Sequence, residues 1–239
     1  MKIEIIKCLQ DNYSYLIIDE EEKIACVVDP SEAKPIINFF KDKKIILKYI
    51  LNTHHHYDHV GGNLELKQKY NCQVIGFKGD KDRIPGIDIL LEDNQILKKN
   101  NFEAKIYHIP GHTSGHIAFH FLKEKKIFTG DTLFSLGCGK IFEGTYEQMF
   151  YSLKKIKELP KDTEIYCGHE YTLQNSNFCI AKDPDNLKLK EKILEINKKI
   201  ENNLPTLPSI LSDELECNIF LKAKDIESFS KLRDLKDNF

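Results

Sequence analysis

No apolar run in the 239 residues approaches the ~20 that a membrane-spanning helix needs, and the longest clean one near the start is Ile24 to Val28. We therefore expect no membrane partner. Excess charge of one sign is missing too: 35 Lys and Arg stand against 37 Asp and Glu, a formal charge of −2. A general polyanion binder carries a basic surplus, so nucleic acid is disfavoured as the main partner. The seven cysteines, at positions 8, 26, 72, 138, 167, 179 and 217, are odd in number and contain no C-x-x-C pair. That argues against a disulfide framework and against a thiolate zinc ribbon. Several lie in apolar runs, as small buried hydrophobes do. The opening Met1-Lys2-Ile3-Glu4-Ile5-Ile6-Lys7 is charged where a signal peptide is apolar, and it reads as a first strand of a cytoplasmic protein. There is no internal repeat and no low-complexity linker.

What is present is a globular composition. Hydrophobic residues make up 41% and charged residues 30%, enough for one large domain or a domain with a small appendage. Ile3–Ile6, Tyr13–Ile18, Ile24–Val28 and Ile45–Leu51 read as strands, as do Val74–Ile75, Ala104–Ile109, Ile117–Phe121, Ile127–Thr129 and Glu164–Tyr166. Pro35–Lys41 reads as a helix. Tyr146–Leu159 has helical periodicity, with Phe150, Leu153, Ile156 and Leu159 on one face. After about Tyr171 the texture changes. Asn186–Asn203 places Leu187, Leu189, Ile193, Leu194, Ile196 and Ile200 on a broad helical face, Pro205 and Pro208 break it, and helix resumes near Ser209. The spacing predicts an α/β body followed by a helical tail.

Chemistry concentrates at strand ends. Thr53-His54-His55-His56-Tyr57-Asp58-His59 follows an apolar strand directly. Crowding four histidines and an aspartate into six positions is costly unless something pairs them. Gly111-His112-Thr113-Ser114-Gly115-His116, Thr129-Gly130-Asp131-Thr132 and Cys167-Gly168-His169-Glu170 follow in order, each after a strand and each with glycine to turn the backbone. Neutral imidazoles and carboxylates are what a borderline or hard divalent metal accepts. The bland alternative is solvated loop histidines with a helix-capping Asp58. A single mononuclear site competes better, but it leaves Asp58, His59 and His169 without a task. Asp29 at its strand end is either a partner for a ligand histidine or a turn aspartate before Pro30. His116 reads as a supporting histidine, and His55, His108 and His120 fall outside the motif register.

The pattern T-H-x-H-x-D-H, then a distant His, a G-D and a G-H, resembles the metallo-β-lactamase fold superfamily. Gln10-Asp11-Asn12-Tyr13-Ser14-Tyr15, Gly111–His116, Gly137-Cys138-Gly139-Lys140-Ile141-Phe142-Glu143-Gly144 and Cys167–Thr172 resemble the glyoxalase II (hydroxyacylglutathione hydrolase) family more narrowly. The resemblance spans nearly the whole chain, including Pro205-Thr206-Leu207-Pro208-Ser209. It implies a four-layer αββα sandwich with two mixed sheets over residues 1–172, and a helical glutathione-binding domain over 173–239. Position by position, it implies that His54, His56 and His112 hold one metal and that Asp58, His59 and His169 hold the other. Asp131 would bridge them, with Asp58 and Asp131 as the catalytic carboxylates. The cofactor implied is two divalent metal ions per chain, zinc foremost, with iron and manganese as alternatives.

Two metals sharing a water would supply a hydroxide nucleophile and stabilise an oxyanion, which suits thioester hydrolysis. The resemblance implies S-D-lactoylglutathione as substrate, with D-lactate and glutathione as products, in methylglyoxal detoxification by a monomer. Glutathione's carboxylates call for cations and donors. The family pattern assigns these to Lys140, Phe142, Tyr171, Asn175, Arg233 and Lys236. The plain alternative for the three cations is solvated surface charge. Arg233-Asp234-Leu235-Lys236-Asp237-Asn238-Phe239 matches the family's last segment in spacing, and Phe229, Leu232, Leu235 and Phe239 are expected to bury it. Phe142 departs from the family's tyrosine and lacks its hydroxyl. Asn218-Ile219 departs from the usual Asn-Pro, with only a local change expected. Cys138, Cys167 and Cys179 flank the motifs without a dedicated base, as packing residues. Competing classes are a lactonase, a tRNA-processing nuclease or a persulfide dioxygenase on the same fold, and a binding protein that has lost catalysis.

Overall fold

A computed structural model describes all 239 residues, and the chain divides into two compact units. The first comprises Met1–His108 with Gly115–Glu124, the second Ile109–Ser114 with Lys125–Phe239. Two six-stranded mixed sheets and one two-stranded ribbon hold the strands, which bears out the α/β class.

In the first unit, β1 (Lys2–Cys8), β2 (Asn12–Asp19), β3 (Ile24–Val28), β4 (Ile46–Leu51), β5 (Gln73–Phe77) and β6 (Ile87–Leu91) form one sheet in sequence order. β1, β2 and β3 pair antiparallel, while β3 through β6 pair parallel. All five residues of β3, the strand where antiparallel pairing gives way to parallel, are buried, as expected of a strand covered on both faces. Helix α1 (Ala33–Phe40) makes the crossover and buries Ala33, Ile36 and Phe40 in a cluster with Leu47, Ile50 and Val74. The short α2 (Tyr57–Val60) and α3 (Asn63–Tyr70) make the next. Gly62 starts α3 because a Cβ there would meet Pro30 O and Glu32 C at 2.9 Å. The strands β7 (Ile96–Lys99), β8 (Phe102–His108) and β9 (Ile117–Phe121) of the second sheet also lie in this unit, paired antiparallel in that order.

The second unit supplies β10 (Lys126–Gly130), β13 (Glu164–Cys167) and β14 (Ser209–Ile210), with β13 parallel to β10 and antiparallel to β14. The ribbon pairs β11 (Leu133–Phe134) with β12 (Gly137–Cys138). Six helices complete the unit: α4 (Tyr146–Lys157), α5 (Thr172–Lys182), α6 (Leu187–Glu201), α7 (Leu211–Cys217), α8 (Ile219–Lys222) and α9 (Ile226–Asp237). A Thr145–Gln148 capping box starts α4.

Three packing expectations change. The buried face of α4 is Met149, Ser152, Leu153 and Ile156, because Phe150 lies to the side against Phe229. Helix α6 buries only Leu189 and Ile196, leaving Leu187 72% and Leu194 63% exposed. The tail is helical, yet Leu235 is 48% and Phe239 61% exposed. Phe229 is buried as expected, and Arg233 is buried beside it, so a charged residue sits on the inward face. Asn218 caps α8 by accepting from Phe220 N at 3.1 Å, a bond that proline at 219 would equally allow, so the departure at 219 changes nothing in the cap. No helix is long and apolar enough to cross a membrane.

Candidate metal centre

The first unit carries His54, His56, Asp58 and His59 on the segment that leaves β4. The buried amides of Asn52 and Asn63 bond to each other, Asn63 Nδ2 to Asn52 Oδ1 at 2.8 Å, and Asn52 Nδ2 donates to His59 O at 3.1 Å. This closes the segment into a compact loop. His54 then has ring centroids of His56 and His59 at 4.8 and 4.1 Å, with His116 stacked on it at 4.6 Å. His116 is thus a supporting histidine, as expected.

Asp29 is the organiser of this half. It adopts a left-handed φ of 48°, and its buried carboxylate accepts from Thr53 N at 2.8 Å and from Thr53 Oγ1 at 2.6 Å. It also meets His59 Nδ1 at 3.1 Å. Because the Thr53 hydroxyl proton is given to Asp29, its oxygen is left to accept from His54 Nδ1 at 3.0 Å. Both histidines then carry their proton on Nδ1 and present Nε2 as a donor of electrons to a metal. Nε2 of His59 faces Asp58 Oδ2 at 3.6 Å, and Asn12 Nδ2 donates to that same oxygen at 3.0 Å. The Asp29 carboxylate is therefore a partner of the histidine cluster as well as a strand-ending turn residue.

The second unit carries His112, Asp131 and His169, all buried. Gly130, with φ of 47°, turns the chain out of β10 so that Asp131 projects from the strand end. Its Oδ2 lies 3.5 Å from His112 Nε2 and 3.3 Å from His169 Nε2. His112 Nδ1 meets the Lys140 carbonyl at 2.7 Å, which can only accept. The Nε2 lone pair is therefore what faces Asp131. An imidazole lone pair opposite a carboxylate oxygen at this range is unfavourable unless a proton or a metal cation lies between them, and the His59–Asp58 pair repeats the pattern. The donors are nitrogen and oxygen throughout, with no thiolate, so the residues fit divalent metal ions.

The expected substrate residues all lie in the second unit. Lys140 is exposed, and Phe142 is 62% exposed with its ring edge-on to His112 at 5.2 Å. Tyr171 is half-buried and stacks on His169 at 4.7 Å. Asn175 is buried and donates to Ser135 O at 3.1 Å. Lys236 is half-buried, and Arg233 is buried with Nη1 on Cys138 O at 2.7 Å and Nη2 on Asp237 Oδ1 at 2.8 Å. Burial pushes the Cys138 thiol up to about 11 and that of Cys179 to about 12, and drives Cys167 upward as well. These are packing residues, as expected. His120 is held down at about 4 by burial and then by Lys105.

Sequence reasoning missed three carboxylates. Buried Asp80 contacts His55 Nδ1 at 3.4 Å and pairs with Arg83. Glu143 accepts from Ser114 N and Oγ, and Glu170 from Thr206 N and Oγ1. Single acids on polar segments carry no periodic signal.

Comparison with known proteins gives consistent findings. Residues 10–169 match the model of the metallo-β-lactamase superfamily, and residues 170–239 match that of the hydroxyacylglutathione hydrolase C-terminus. A hydroxyacylglutathione hydrolase of Pelagibacter ubique is 70% identical over all of both chains. One of Methylococcus capsulatus is 41% identical over all of this chain and 99% of its own length. The solved structure of ETHE1 from Myxococcus xanthus superposes with TM-score 0.75 at 20% identity, over 98% of this chain and 90% of the other. TTHA1623, solved in a di-iron-bound form, gives 0.59 at 27% identity, over 71% and 92%.

Proposed function

The chain belongs to the hydroxyacylglutathione hydrolases of the metallo-β-lactamase superfamily, and from that premise we propose that it hydrolyses S-D-lactoylglutathione and related 2-hydroxyacylglutathione thioesters. The products are D-lactate and glutathione, in the second step of methylglyoxal detoxification. The observation that carries the reading is the Asp131 carboxylate flanked by two buried imidazoles, one of them fixed by a main-chain carbonyl to present its lone pair.

In this reading His54, His56 and His112 would hold one metal and Asp58, His59 and His169 a second, with Asp131 available to both. The donor set suits zinc foremost and also iron or manganese. The di-iron form of TTHA1623 supports iron among these. A bound metal pair would supply an activated water as nucleophile and positive charge for the oxyanion that develops on the thioester carbonyl. The chain's own contribution is to orient its donors. Asp29 fixes the tautomers of His54 and His59, and the Lys140 carbonyl fixes that of His112. Asn12 Nδ2 occupies one lone pair of Asp58 Oδ2 and so sets the direction of the rest. No side-chain nucleophile is required, and the cysteines are disqualified by their raised pKa values.

Residues 1–172 form the catalytic domain and 173–239 the glutathione-binding domain, a division supported by the two family models meeting at 169 and 170. Lys140, Tyr171, Asn175, Arg233 and Lys236 serve the tripeptide, with Phe142 offering only its ring. We also propose a cytoplasmic monomer. Seven cysteines with no disulfide among them support a reducing compartment. Loss of thioester absorbance with S-D-lactoylglutathione tests the activity, with a lactone and a persulfide as competing substrates. Turnover of either competitor in preference to the thioester would reject it.

A further inference from the structure

The ribbon β11–β12 has strands of two residues each, and Leu136 in its turn has a left-handed φ of 57°. So short a hairpin is not self-supporting. Four buried side chains from the helices beyond residue 172 hold its main chain instead. Asn175 Nδ2 donates to Ser135 O at 3.1 Å, and Glu214 Oε2 accepts from Leu136 N at 2.8 Å. Asn218 Nδ2 donates to Gly137 O at 3.1 Å, and Arg233 Nη1 to Cys138 O at 2.7 Å. Each residue from Ser135 to Cys138 thus gives at least one main-chain polar group to these helices, and Leu136 gives a second through its carbonyl to Cys179 Sγ at 3.1 Å.

What this ribbon leads into is the reason for such bracing. Gly139 N donates to Thr132 O at 3.2 Å, beside Asp131. A Cβ at 139 would lie 1.9 Å from Asp131 O and 3.3 Å from His112 Nδ1, so the bare backbone there rests against both residues. One residue on, the Lys140 carbonyl fixes the His112 ring. The path from Arg233 to His112 therefore runs through Cys138, Gly139 and Lys140 with no flexible side chain between. Arg233 is poorly placed to act as a loose surface cation. Besides Cys138, its Nε and Nη2 both go to Asp237 Oδ1 at 3.2 and 2.8 Å, and its guanidinium lies 5.2 Å from the Phe220 ring centre.

Resting on the metal assignment above, we propose that the C-terminal helices, through Arg233 and Glu214, position the metal-binding side chains His112 and Asp131. Arg233 is then a positioning residue in the first place, and the helical segment is part of the metal centre's scaffold as well as a surface for glutathione. A substrate clamp and a scaffold predict opposite kinetic signatures. Removing a remote clamp raises KM at unchanged kcat. Removing a scaffold behind ligands weakens metal retention, by about 10–100-fold for groups that orient a ligand.

The experiment compares Arg233→Ala, Arg233→Lys and Lys236→Ala with the unaltered enzyme. Metal per chain is measured after dialysis against graded chelator, and kcat and KM with S-D-lactoylglutathione and with a small thioester lacking glutathione. For Arg233→Ala we expect at least about tenfold weaker metal retention and an equal fall in kcat on both thioesters at limiting metal. KM for the small thioester should stay within about twofold, any KM rise confined to the glutathione thioester reporting the separate contact with the tripeptide, and added metal should restore kcat. Arg233→Lys, which keeps one donor for Cys138 O, should lie between and carries the same comparison if the alanine variant does not fold. Lys236→Ala should keep its metal. Unchanged metal retention in both Arg233 variants, with or without a raised KM for the glutathione substrate, overturns the scaffold role. Absence of thioesterase activity in the unaltered enzyme would instead reject the proposed function.

Discussion

Replacing Asp29 by Asn keeps the shape of the side chain and inverts the hydrogen-bonding logic of one half of the site. Oδ2 of Asp29 accepts from Thr53 Oγ1 at 2.6 Å and pairs with His59 Nδ1 at 3.1 Å, while Oδ1 accepts from Thr53 N at 2.8 Å. The amide oxygen of Asn is retained by the backbone N–H of Thr53, so an NH2 group faces the hydroxyl and the imidazole. Both must then accept. Thr53 turns its proton toward His54 Nδ1, and both histidines shift their own proton to Nε2, the atom that would ligate. Two hydrogen bonds to an ionised group, at about 1.5–3 kcal/mol each, set a ceiling of roughly 3–6 kcal/mol on the loss of stability. Metal affinity suffers more, because two ligands lose their orienting partner at about 10–100-fold each. Asp29→Asn should therefore bind metal roughly 10²–10⁴-fold more weakly in a chelator competition, while urea unfolding of the metal-free protein shifts by only a few kcal/mol. Equal metal affinity in the variant and the parent would refute this assignment of tautomers.

Phe142→Tyr restores a hydroxyl beside Lys140 and the exposed ring face; one hydrogen bond of about 0.5–1.5 kcal/mol should lower KM by at most about tenfold with kcat nearly constant, and an unchanged or higher KM would mean the tripeptide lies elsewhere. Lys236→Ala should raise KM for the glutathione thioester, with the difference from the parent larger at low salt, while a small thioester is unaffected; equal KM values would return Lys236 to the solvated surface. Burial holds the Cys72, Cys138 and Cys217 thiols up at about 11 and Cys179 at about 12, so at pH 8 they are protonated and inaccessible. A chromogenic disulfide should react slowly with the native protein and with all seven thiols after denaturation; fast native labelling of Cys138 would contradict this.

Where the chain repeats an apolar period, sequence and structure agree, as in β2, β3 and the crossover helix α1. The metal-motif histidines and aspartates were legible because so many groups that are costly to crowd stand at fixed short spacing, and a bound cation offsets that cost where ordinary packing does not. Helices α3 and α5 were not legible, because polar residues share their inward faces: Asn63 beside Leu66 in one, and Thr172, Asn175 and Ser176 beside Phe178 and Cys179 in the other. The strands β6 and β7 are short and half-exposed, too weak a pattern to separate from loop. Asp29 could be narrowed to two readings and was not resolvable further, since its partners Thr53 and His59 are 24 and 30 residues away. Glu214 and Asn218 hold the ribbon through contacts 78 and 81 residues distant in sequence, and no local pattern announces such a contact. Arg233 had a family expectation, but its burial on the inward face of α9 broke the apolar period that the tail otherwise suggested.

The central claim is a metal pair bridged by Asp131 that hydrolyses a glutathione thioester. Its most direct test titrates metal into the stripped protein and follows S-D-lactoylglutathione hydrolysis and bound metal in the same sample, for the parent and for Asp131→Ala. Activity should reach its maximum only at two equivalents per chain, and Asp131→Ala should lose most of both metal and kcat. Full activity at a single equivalent, or an Asp131→Ala variant that keeps two metals and normal turnover, would contradict it.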